Sequence, residues 1–79
     1  MTIAETYQIR LRQLDDRCNA ISGEIAAVSV VCLRAGMSRD ATLTKTKYYR
    51  TALRSTERDL DTLCAEYEAF NASTVASVA

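Results

Sequence analysis

The apolar positions of this chain fall into two long runs with the same rhythm. Leu11, Leu14, Cys18, Ile21, Ile25, Val28, Cys32 and Ala35 succeed one another at alternating steps of three and four residues. Beyond Gly36 the rhythm resumes with Thr42, Thr46, Tyr49, Leu53, Thr56, Leu60, Leu63, Tyr67 and Phe70. Such steps place each set on one narrow stripe of an α-helix, the a and d positions of a heptad repeat. Two stripes of nearly equal length on either side of a glycine predict an all-α fold. Its expected form is an antiparallel two-helix hairpin of coiled-coil type, completed by a dimer or a different partner.

The breaks in the pattern set the boundaries. Residues 1–71 form the expected hairpin, with helices over 2–35 and 39–71 and a turn at 36–38. Gly36 can take the left-handed conformation that ends a helix, with Met37 supplying the apolar contact that accompanies it. Ser38 is a good N-cap for the second helix, and Asp40 falls in that helix's positive first turn. Residues 72–79 are small and uncharged and carry no stripe, which predicts a flexible C-terminal tail.

An antiparallel hairpin with its turn near Met37 pairs Leu11 with Leu63, Leu14 with Leu60, Cys18 with Thr56 and Ile21 with Leu53. Ile25 then meets Tyr49, and Val28 meets Thr46. On the flanks Arg10 faces Glu66 and Arg17 faces Asp59, both of opposite sign, while Asp15 and Glu57 form a like-charged pair. An exposed ion pair contributes only about 0.2–1 kcal/mol, against about 1.5–3 kcal/mol for a buried leucine. The stripe therefore dominates and the charges tune it.

The first helix carries more apolar surface than its stripe uses. From Ile25 to Leu33 it reads IAAVSVVCL, and only Ile25, Val28 and Cys32 belong to the stripe. Between Arg17 and Arg34, Glu24 is the only charge. A helix that is apolar all round is buried all round, and a hairpin covers one side of it. Gly23, Ala26, Ala27, Val30, Val31 and Leu33 are therefore the candidate partner-binding residues. Tyr48 joins them, because it sits beside the stripe residue Tyr49 and combines a broad ring with a polar tip, as interface anchors do. Tyr7 and Tyr67 are expected as core caps at the open end.

Composition narrows the chemistry. Ten Lys and Arg balance ten Asp and Glu, so no net charge draws the chain to nucleic acid or to anionic membrane. The charges are segregated instead. Arg34, Arg39, Lys45, Lys47, Arg50 and Arg54 make the turn end basic, and Glu57, Asp59, Asp61, Glu66 and Glu68 make the open end acidic. Apolar residues are 48% of the chain and proline is absent, a composition for long helices and not for disorder. The longest apolar run is far too short to span a bilayer, so no membrane insertion is expected.

No catalytic or cofactor-binding residue is evident, and no small-molecule substrate is implied. The chain has no histidine to serve as general base and no glycine-rich phosphate loop. Cys18, Cys32 and Cys64 are odd in number and lack paired spacing, so no metal site is expected. They read as small core hydrophobes in a reducing setting, and the N-terminus has no signal-peptide organisation. The expected location is cytoplasmic.

The Arg34-Ala35-Gly36 turn, the polar start of the second helix and Tyr48-Tyr49 soon after it together resemble the small co-chaperones of type III secretion needle subunits. The likeness is one of layout and covers roughly residues 10–70. It implies a cytoplasmic bacterial protein that binds a larger chaperone and helps keep an aggregation-prone subunit soluble. The residues alone leave two readings: a non-enzymatic adaptor or co-chaperone in a hetero-complex, and a homodimeric regulator or inhibitor, phage-encoded or otherwise, that blocks a protein target. A helical protein that meets nucleic acid with its basic turn end is a third and weaker one.

Overall fold

The structure, a computed structural model, describes residues 1–78, with side chains through Thr74. It holds two helices, α1 (Ile3–Arg34) and α2 (Arg39–Val78), packed against each other as a hairpin 62 Å long. The 40 residues of α2 account for that length at about 1.5 Å each.

Local chemistry begins and ends each helix. Thr2 caps α1: its hydroxyl oxygen accepts from the Glu5 amide at 3.1 Å, and Glu5 lies in the positive first turn. At the other end Gly36 adopts φ 71°, the only positive φ in the described chain. Its amide donates to the Leu33 carbonyl at 3.1 Å, and the Met37 amide donates to Cys32 at 3.0 Å. Those two bonds make a Schellman motif, which satisfies the carbonyls left over at the helix end. Ser38 then caps α2, accepting from the Ala41 amide at 3.2 Å through its hydroxyl oxygen.

The predicted stripes are the interface between the helices. Among the described residues, those buried outright are Cys32, Leu63, Thr46 and Thr56, and all four lie on the stripes. The remaining stripe positions are half-buried, except Ala35. Ala35 is exposed because it is the C-cap, where the chain has already left the helix. The seam runs instead one heptad further toward the open end, through half-buried Tyr7 and Ala4. There the Tyr7 ring packs on Tyr67 at 5.4 Å and on Phe70 at 5.7 Å. Tyr7 opposite Tyr67 continues the pairing that sets Leu11 opposite Leu63, so the expected register is the observed one. Arg10, Arg17, Asp59 and Glu66 line one shallow depression beside the seam, as that register requires.

Two buried threonines interrupt an otherwise apolar core without leaving polar atoms stranded. Thr56 donates to the Ala52 carbonyl at 2.8 Å. Thr46 donates to Thr42 at 3.1 Å and accepts from Arg50 Nε at 3.3 Å. Hydroxyls that bond back to the preceding turn are a local solution available only to Ser and Thr in a helix. Among the described residues no buried side-chain nitrogen or oxygen lacks a partner.

Two expectations need correction. α2 does not stop at Asn71 but continues helical to Val78, which takes up all of the expected tail except Ala79, outside the described residues. No glycine or proline interrupts this stretch, alanine favours helix, and Thr74 donates back to Phe70 at 2.9 Å. In the register above, Ala4 faces Phe70, so the last two turns of α2 run past the start of α1. Cys64 is exposed and not a core hydrophobe, because it follows the seam residue Leu63 by one position and points away. Arg50 is half-buried and folded back so that Nη2 donates to the Leu43 carbonyl at 2.7 Å, and it keeps its charge at the basic turn end.

Leu63→Ala should cost about 2–4 kcal/mol in chemical denaturation, since the two-helix core cannot collapse around the cavity. Thr56→Val should instead stabilise by up to about 1 kcal/mol, because the hydroxyl serves only its own helix. Cys18 tests the pairing of helices: burial pushes its thiol pKa up, with the negative charges of Glu57 and Asp15 adding to the effect against Arg17. Alkylation near pH 8 should therefore modify exposed Cys64 before Cys18, and Glu57→Gln, a change on the opposite helix, should speed the reaction of Cys18.

Candidate protein-docking face

The seam occupies one side of α1, and about 100° per residue fixes what lies opposite. Gly23, Ala27 and Val30 project directly away from α2, with Ala26 beside them. Val31 and Leu33 border this strip on its two edges. All six are exposed. Val31 is 67% and Leu33 68% accessible, and Val30 is 46% accessible. Isolated exposed hydrophobes are ordinary on a protein surface, whereas a contiguous set marks a contact face.

Glycine at position 23 sharpens the point. In mid-helix it costs roughly 0.5–1 kcal/mol relative to alanine. A Cβ built there would meet nothing within 4 Å, so no packing inside the chain calls for its absence. The first half of the same outer face is different in kind. Glu5, Gln8, Arg12, Gln13 and Asp16 dominate it, with Ile9 among them. The outer face of α1 is thus polar toward the open end and apolar toward the turn.

Tyr48 does not join this strip. It stands on α2, which lies across the seam from the outer face of α1, and it is 79% accessible. Its ring meets the Tyr49 ring edge-on at 5.7 Å, with 80° between the planes. The candidate residues therefore form one strip of six on α1 and a separate aromatic position on α2. Sequence reasoning passed over Asp16, and it placed Arg34 in the basic turn end without pairing it with Asp16 as the charge that closes the strip at its other end. Their signal was the same three-and-four spacing, read one face further round the helix.

Among the described residues no group of His, Cys, Asp or Glu could hold a metal ion, and no helix is long and apolar enough to cross a membrane. No family model, curated protein or solved structure matches this chain. The face itself is what remains to argue from.

Val30→Glu and Ala27→Glu should leave helicity and melting of the isolated hairpin nearly unchanged, within about 0.5 kcal/mol, because both positions are already solvated. Ile21→Glu, which drives a charge into the seam, should unfold it. Circular dichroism melts of the three variants in dilute solution check this division.

Proposed function

We propose that the chain is a non-enzymatic, protein-binding helical hairpin of the adaptor or co-chaperone kind. One observation carries the reading: the uncharged, apolar strip over Gly23–Leu33 is left in solvent on the side of α1 away from α2. An amphipathic helix of a partner laid along such a strip would bury its apolar edges and approach closely over the small residues. The hairpin serves to hold α1 straight and to present that face. The resemblance to needle-subunit co-chaperones supports a role in keeping another protein soluble in the bacterial cytoplasm.

A homodimeric regulator or inhibitor is the second reading. The division of charge favours it, since a basic turn end and an acidic open end attract when two hairpins lie antiparallel. In that arrangement the flanks and Tyr48 remain free to block a target. Both readings place protein on the outer face of α1, and neither involves a small-molecule substrate or nucleic acid.

Quantitative copurification from the native host tests the shared claim. Tagged wild-type chain should bring down a defined protein, or a differently tagged copy of itself, and Val30→Glu should reduce the yield at least ten-fold. Equal recovery from both forms, with helicity intact, overturns the docking face.

A further inference from the structure

The outer strip of α1 has a symmetry of its own. Asp16, Ala20, Gly23, Ala27, Val30 and Arg34 follow one another at steps of four, three, four, three and four. That is a second heptad stripe, on the side away from the seam, and all six residues are exposed. It is arranged evenly about Ile25: Gly23 and Ala27 stand two residues from that level, Ala20 and Val30 five, Asp16 and Arg34 nine. Reversing the stripe therefore places apolar on apolar in the middle and acid on base at both ends.

We propose that this strip binds a second copy of the chain, antiparallel, about a two-fold axis at the level of Ile25. The inference rests on reading the outer face of α1 as a docking surface. In a two-fold contact residue i meets j and j meets i, so Gly23 meets Ala27, Ala20 meets Val30 and Asp16 meets Arg34, each twice. The small residues fall at the centre, where they let the helix axes approach to about 8 Å, the near end of the usual range. Val31 and Leu33 border the contact, level with Asn19 and Arg17 of the second copy. The two Asp16–Arg34 pairs lie at its rim, where opposite charges set register and orientation. A parallel arrangement would set Asp16 against Asp16 and Arg34 against Arg34. The α2 helices stay on the outside, since each lies across its own seam from the contact. A heterologous partner has no need of a strip whose ends complement each other; a second copy does.

Sedimentation equilibrium of the wild type, two single charge reversals and their mixture tests the proposal. The wild type should run at the mass of two chains. Asp16→Arg and Arg34→Asp should each weaken the dimer roughly ten-fold, because each turns two attractive pairs into repulsive ones. An equimolar mixture of the two variants should restore a mixed dimer, since one carries arginine and the other aspartate at both positions. Gly23→Leu should keep or raise helicity while disrupting the dimer, because a side chain there has free space within its own hairpin and none between two. A dimer unaffected by either reversal overturns the antiparallel contact. A monomeric wild type whose copurifying protein is lost on Val30→Glu overturns the second copy and leaves the docking face standing. A monomer with no such protein overturns both.

Discussion

Two helices can bury only the stripe along which they touch, and the rest of this molecule follows from that geometric limit. Each heptad gives the core two positions per helix. Along the described seam Cys32, Leu63, Thr46 and Thr56 are closed off from water, and their neighbours stay half-wet. With so little volume to fill, the hairpin tolerates polar side chains in its core, provided each satisfies itself locally, as Thr46 and Thr56 do against their own preceding turn. Precision comes from the ends: a threonine cap, a Schellman turn, a serine cap, and an aromatic cluster of Tyr7, Tyr67 and Phe70 near the start of α1. The same limit leaves the outer side of α1 uncovered, and there the apolar residues that the seam does not use are collected.

Period and punctuation made most of this architecture legible. The three-and-four spacing identified the seam because helix geometry admits few other reasons for it, and Gly36 located the reversal because φ 71° is strained for any other residue. Tyr7 against Tyr67 confirms a register deduced from pairing alone. The differences arise where spacing carries no information. Ala35 keeps the period yet sits past the last helical residue, so cap geometry overrides pattern. Cys64 was judged by its type and not by its position, one step beyond Leu63. The stretch after Asn71 has no stripe, but a helix can continue without one on local propensity and a threonine back-bond.

The candidate site divides in the same way. Composition marked Gly23, Ala26, Ala27, Val30, Val31 and Leu33 as surplus, and the structure leaves each of them exposed. Which charges bound the strip, and that they mirror each other, emerges only when the stripe is followed round to the outer face. What meets that face is a separate matter from the fold: affinity depends on the shape and charge of the other surface, which this chain does not encode unless the other surface is its own.

The turn has a consequence for how such a molecule changes over generations. Because every pairing across the seam is counted from the same reversal, the turn acts as the zero mark of a ruler. One residue added inside either helix rotates the positions beyond it by about 100° and takes them off the seam. Seven residues added to both arms at matching levels only lengthen the rod, since the heptad returns each position to its place. Length is thus a dimension that can be adjusted in whole repeats without disturbing the rest.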